Sequence, residues 1–214
     1  MPALPSNALG GLAGPLREAL QDGGMAVLSA PPGAGKTTQV PLMLLADGFL
    51  GGGRILMLEP RRLAARASAK RMADLLGEPV GATVGYRVRF DSKVSSATRI
   101  EVVTEGILTR MLHTDAELPG VDLVVFDELH ERNLHSDLAL ALLLDSKAGL
   151  RPEIALLAMS ATLDTAKVSA ALGGAPCLSV DGQGFPVETH YCGGPPDTRH
   201  VAQTVARALV EQGK

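Results

Sequence analysis

The chain has 214 residues, of which 46% are hydrophobic, 20% charged and 3% aromatic with no tryptophan, and its formal net charge is -3. This composition fits a soluble protein with a real core, and the length suits one generous domain or one domain with a short extension. The acidic balance removes any global electrostatic case for nucleic acid, and the scarcity of rings argues against stacking bases on exposed aromatics, so a nucleic-acid site would have to be a local basic patch.

Residues 12–21 read as a lead-in helix and 25–30 as a buried strand. A glycine-rich turn then leads into a helix over 36–46. Strand 54–58, helix 63–76 and a short strand near 83–88 follow. After Asp91, strand 100–104 precedes helix 106–113. Residues 122–127 run apolar up to two acids, the pattern of a strand buried on both faces. Helix 134–148, strand 154–159, helix 166–172 and strand 177–180 complete the alternation. The Gly- and Pro-rich stretch beyond Val180 holds one expected strand at 187–191, and 199–210 reads as a helix. Strands alternating with helices specify the α/β class, a mostly parallel sheet covered on both faces, with ligands gathered at the carboxyl ends of its strands. Residues 33–38, 127–128 and 160–162 all fall on that edge.

The segment APPGAGKTT at 30–38 matches a phosphate loop except at its first position, where Ala30 stands for glycine. Gly33 and Gly35 let the backbone turn so that amides, that of Ala34 included, converge on phosphate oxygens. The helix opening at Lys36 adds its positive dipole end. Lys36 supplies a point charge for the β and γ phosphates of ATP, while Thr37 offers a hydroxyl to Mg2+ beside Thr38. The alternative is a helix-capping turn with a chance lysine, which the strand–turn–helix setting disfavours. In VVFDELHER at 124–132, Asp127 can hold Mg2+ opposite Thr37, and Glu128 can orient and deprotonate water. Alone, such a pair could be two solvated carboxylates at a strand end.

DELH at 127–130, followed by Glu131 and Arg132, resembles the signature of the DExH/DEAH-box helicases of superfamily 2. SAT at 160–162, PRRLAA at 60–65 and TEG at 104–106 resemble further motifs of that family, in the family's order. The stretches APPGAGKTT, LEPRRLAARA, VGYRVRFDSK and VVTEGILTRML are similar to bacterial HrpB-type members. The resemblance runs from about residue 12 to 191 and implies a RecA-like P-loop NTPase domain over 1–182. It makes 183–214 a linker or the start of a second RecA-like domain. It implies an ATP-dependent helicase whose partners are single-stranded RNA or DNA and that second domain. His130 would couple nucleotide state to the partner domain, and Ser160 and Thr162 would link hydrolysis to nucleic acid. Arg71 would lie against the adenine, and Arg61, Arg62 and Thr104 would contact the strand backbone. Leu129 departs from the signature's usual alanine, and no second domain with its arginine finger follows, so ATP binding with little hydrolysis and no unwinding is expected. A nucleotide-gated binding module and a small-molecule kinase are the alternatives; the kinase is disfavoured by the adjacent acid pair and the motifs that follow it.

Arg62, Arg66 and Lys70 lie four apart on one helical face, and Arg87 and Arg89 share a strand face. They read either as phosphate contacts or as a solvated face. Cys177, His190, Cys192 and His200 lack the spacing of a zinc site, and Cys177 reads as a core residue. Helix 138–144 reads as a core stripe. Two cysteines make no disulfide framework and suit a reducing compartment. No basic segment precedes an apolar run at the start, and the runs at 41–46 and 138–144 are too short to cross a bilayer, so a cytoplasmic protein without membrane contact is expected.

Overall fold

The computed structural model describes residues 9–129, 133–161, 165–180 and 198–212. The chain divides into two compact units, Met1–Gly182 and Gln183–Lys214. The described part of the second unit is one helix, α7 (Thr198–Gln212), which exposes Val201, Val205 and Val210.

In the first unit the order is α1 (Ala13–Leu20), β1 (Met25–Ser29), α2 (Lys36–Ala46), β2 (Arg54–Leu58), α3 (Arg62–Leu76), β3 (Val84–Val88) and β4 (Asp91–Lys93). Then come β5 (Ile100–Val103), α4 (Glu105–Thr114), β6 (Val121–Phe126), α5 (Leu134–Gly149), β7 (Ala155–Ser160), α6 (Thr165–Ala171) and β8 (Cys177–Ser179). The strands form one sheet in the order β4-β3-β5-β2-β6-β7-β1-β8. All pairings are parallel except the β3–β4 hairpin.

Parallel central strands have helices on both faces and are apolar throughout, which is why RILML, VDLVVF and ALLAMS run without polar alternation. Alternate side chains feed two cores. Ile55, Met57, Leu123 and Val125 meet Leu16 and Leu20 of α1, Val40 and Leu44 of α2 and Ala65, Ala69 and Met72 of α3. Leu56, Leu58, Val124 and Phe126 meet Leu108 and Leu112 of α4 and Ala139 and Leu143 of α5. Leu16 and Leu20 are four residues apart, so both point inward from one side of α1. Gly77 closes α3 at φ +71, the left-handed stop that glycine accepts without strain. Asn133 opens α5 by accepting from the amides of His135 and Ser136 at 2.9 and 3.0 Å.

Two expectations are corrected, those on Arg89 and Cys177, and one strand is additional to those expected. Residues 91–93 form a strand although Asp-Ser-Lys shows no apolar alternation; pairing with β3 and a 2.8 Å bond from Tyr86 Oη to Asp91 hold it in place. Arg89 does not share the strand face of Arg87, because β3 ends at Val88 and the chain turns at Phe90, φ +67. Cys177 is exposed, since β8 is an edge strand with a solvent-facing side. The core stripe expected at 138–144 is present: Ala139 and Leu143 are fully buried, Leu140, Leu142 and Leu144 pack partly buried against them, and Leu138 is exposed. The strand expected at 187–191 lies outside the described residues.

Candidate functional site

Strands β6, β7 and β1 are neighbours, with Val125 paired to Leu157 and Ser29 to Ser160. Their carboxyl ends therefore bring Asp127, Ser160 and Ala30 to one edge. Ala30 is buried and its amide donates to Ser160 O at 3.1 Å, so the methyl replacing the expected glycine hydrogen is absorbed by the core. The chain then turns through Gly33 and Gly35, both at φ +81. A Cβ on Gly33 would meet nothing, so the demand there is purely conformational. Gly35 is also the N-cap of α2, and no side chain caps that end. The orphan N–H groups of the first turn are thus left to an anion, at the positive end of the helix dipole.

Lys36 is the first residue of α2 and only 5% exposed. Its Nζ donates to Glu128 Oε1 at 2.6 Å. Thr37 Oγ1 donates to Asp127 Oδ2 at 2.6 Å. Thr38 Oγ1 turns back to Gly35 O at 3.4 Å. Asp127 is 3% exposed; its amide donates to Leu58 O at 3.0 Å and its Oδ1 accepts from the Glu128 amide at 2.9 Å. Burial holds the Asp127 carboxyl above the ordinary range; the Thr37 bond and the Lys36 charge oppose this, and the Glu128 charge adds to it. Glu128 sits at φ +51, a left-handed conformation that costs a non-glycine residue roughly 1–2 kcal/mol. Strain of this kind concentrates where a side chain has to be aimed.

These groups fit a nucleotide phosphate with a hard divalent cation. The amides and Lys36 favour anions, and the Thr37 hydroxyl and Asp127 carboxylate are oxygen donors of the type Mg2+ takes, one or two from protein. Of the other residues singled out from the motifs, Ser160 is buried at the end of β7, while His130 and Thr162 lie outside the described residues. Arg71 is exposed on α3 and makes no polar contact with Lys36, Thr37, Asp127 or Glu128.

A second cluster lies along the same edge. Leu58 pairs with Val103, so α3 and α4 begin side by side. Arg61 is the N-cap of α3 and Arg62 its first residue, both exposed; Arg62 Nη2 donates to Arg89 O at 3.0 Å. Thr104 is the N-cap of α4, and its hydroxyl makes no capping bond. Of the expected basic stripe, Arg66 is already engaged: it pairs with Asp91 at 2.6 Å and lies 5.8 Å over the Tyr86 ring. Lys70 is exposed.

Sequence reasoning missed Glu105 and Glu101. Glu105 is buried at the start of α4, where its Oε1 accepts from Asn133 Nδ2 and, at 2.5 Å, from Ser136 Oγ. It thereby ties the residue after Thr104 to the helix that follows the acid pair. Asn133 as an N-cap was a readable signal; its partner 28 residues away was not. Glu101 is 3% exposed and holds Arg87 at 2.7 Å and Arg54 at 3.6 Å.

Residues 16–170 match the DEAD/DEAH box helicase family. The ATP-dependent RNA helicase HrpB of Escherichia coli K12 is 56% identical over 165 residues, 77% of this chain and 20% of that protein. The ATP-dependent RNA helicase HrpA homolog of Haemophilus influenzae is 39% identical over 165 residues, 77% of this chain and 13% of its own length. The probable ATP-dependent RNA helicase DHX40 of Rattus norvegicus is 34% identical over 193 residues, 87% of this chain and 25% of its own. A crystal structure of the Escherichia coli DEAH/RHA helicase HrpB superposes with a TM-score of 0.87 at 47% identity, covering 97% of this chain and 27% of that one. The chain thus spans about a fifth of the length of the first of these relatives. Among the described residues no helix is long and apolar enough to cross a membrane. With most of its length matched and its fold shared, the chain belongs to the DEAD/DEAH box helicase family.

Proposed function

We propose that this chain is the ATP-binding domain of an ATP-dependent helicase acting on single-stranded nucleic acid. Residues 1–182 form its first RecA-like domain, and 183–214 lead into a second. Gly33, Ala34, Gly35 and the amides opening α2 cradle the phosphates, with Lys36 as their counter-charge and Thr38 bracing the turn. Thr37 and Asp127 hold Mg2+, which neutralises charge developing on the phosphates. Glu128 orients the attacking water and accepts its proton. The observation that carries this reading is the pair of contacts Lys36–Glu128 and Thr37–Asp127, each 2.6 Å across about ninety residues of sequence. Four side chains suited to phosphate, metal and water are gathered at one uncapped helix start, where they bond to one another in pairs.

Ser160, Thr162 and His130 couple this site to nucleic acid and to the partner domain, and Arg71 packs against the adenine. Arg61, Arg62 and Thr104 take the strand backbone. The three relatives named as RNA helicases favour RNA. Calorimetry with Mg-ATP tests the reading. Binding should be lost in Lys36→Ala and strengthened by a short single-stranded RNA. Equal affinity in the variant refutes the site, and indifference to RNA favours a nucleotide-gated module that separates no strands.

A further inference from the structure

Two cavities, of about 410 and 310 Å3, share Ile107 and Arg110 along the outer flank of α4. The smaller begins at Thr104 and Arg89; the larger continues past Arg54, Arg87 and Met111 to Leu118. α4 has 10 residues, so the combined groove runs along about 15 Å of helix. Arg54, Arg87, Arg89 and Arg110 face it, against Asp115 and the buried Glu101. On a chain of net charge -3 this is a concentrated positive channel. The Glu101 carboxylate accepts from Arg87 Nε and lies 3.6 Å from Arg54 Nε, with 44% and 33% of the two arginine side chains still exposed. Arg110 is exposed and its guanidinium makes no bond among the described residues.

We propose that this groove is a phosphodiester-binding track that carries single-stranded nucleic acid onward from Thr104, down the flank of α4. The inference rests on the nucleic-acid reading above and extends it to residues outside the helicase motifs. Arginine forks suit phosphate oxygens, and contacts of this kind hold a strand without reading its bases. The track starts where Arg62 meets Arg89, so it is continuous with the proposed backbone contacts at Arg61, Arg62 and Thr104. No peptide can add as a strand to β3, which carries Arg87 into the groove, because β3 is already paired on both sides, to β5 and to β4.

The test is fluorescence anisotropy on the full chain with a short and a longer oligouridylate, across a salt series, for wild type, Arg110→Ala and Arg62→Ala. The longer oligomer should bind wild type more tightly than the short one. Arg110→Ala should weaken only the longer one, several-fold, and reduce the slope of log affinity on log salt by about 0.7, one phosphate contact on a single strand. Arg62→Ala should weaken both. If Arg110→Ala matches wild type while Arg62→Ala weakens both oligomers, the track is wrong and the nucleic-acid reading stands. If wild type binds neither oligomer, both fall. If an acidic polypeptide binds and is lost in Arg110→Ala while RNA binding is not, the groove belongs to a protein partner and the track is overturned.

Discussion

Replacing Glu105 by alanine removes the acceptor shared by Asn133 Nδ2 and Ser136 Oγ at the junction of α4 and α5. Ser136 is 8% exposed and Glu105 9%, so water does not readily take the place of the carboxylate. A buried donor left without a partner costs about 1–3 kcal/mol; the Ser136 hydroxyl, free to rotate, belongs near the lower end, and the half-buried Asn133 amide can turn to water. The loss of an acid from the first turn of α4 adds about 0.3–1 kcal/mol. Glu105→Ala should therefore destabilise the fold by roughly 1–3 kcal/mol. Glu105→Gln keeps the volume and one acceptor oxygen and forfeits only the charge, about 1 kcal/mol. Urea unfolding followed by circular dichroism measures both: the midpoints should fall in the order wild type, Gln, Ala at constant slope. Equal midpoints for the two variants would refute the claim that unsatisfied donors set the cost. A loss under about 0.5 kcal/mol for alanine, the usual size for an exposed site, would refute the burial itself.

The raised pKa of Asp127 has a definite sign: the folded state binds its proton more tightly than the unfolded chain does. Stability from this group is complete below the unfolded value and is lost as pH rises through the folded one, so at neutral pH the ionised carboxylate is a net cost. Asp127→Asn should thus raise the melting temperature of the nucleotide-free protein at neutral pH while losing Mg-ATP binding. The gap in melting temperature should close toward about pH 4; an asparagine variant less stable than wild type at pH 7 contradicts the argument. Gly85→Ala would put a Cβ 2.3 Å from Lys93 O and should disrupt the β3–β4 hairpin, whereas Gly106→Ala meets nothing within 4 Å and should be tolerated. Thermal melts of the pair check this, and equal melting points would count against it. Phe126→Ala empties a fully buried site under α4 and α5 and should cost about 3–5 kcal/mol by urea unfolding, and a loss below 1 kcal/mol would mean the site collapses.

The elements most legible in the sequence were those whose reasons are local. α2 and β2 occupy 36–46 and 54–58 as expected, because Gly35 and Gly48 flank α2, Gly53 and Pro60 delimit β2, and each carries a continuous apolar run. β4 was not legible: Asp-Ser-Lys becomes a strand only because β3 offers an edge and Tyr86 and Arg66 hold Asp91. Cys177 was misjudged because burial depends on which strand ends the sheet, and no pattern in β8 itself says so.

The same division holds at the site. The phosphate loop, the acid pair and the residues opening α3 and α4 are short motifs whose chemistry is contained in neighbouring residues, and the sequence by itself determined them. The meeting of Lys36 with Glu128, of Glu105 with Asn133 and Ser136, and of Glu101 with two arginines was decided by the tertiary structure alone. So was the line of arginines along α4, drawn from β2, β3, the β3–β4 turn and α4 itself. Backbone turns and strand runs follow from torsions and hydrophobicity over a few residues. Charge partners are chosen by strand order and register, which are settled only when the whole sheet has closed around its two cores.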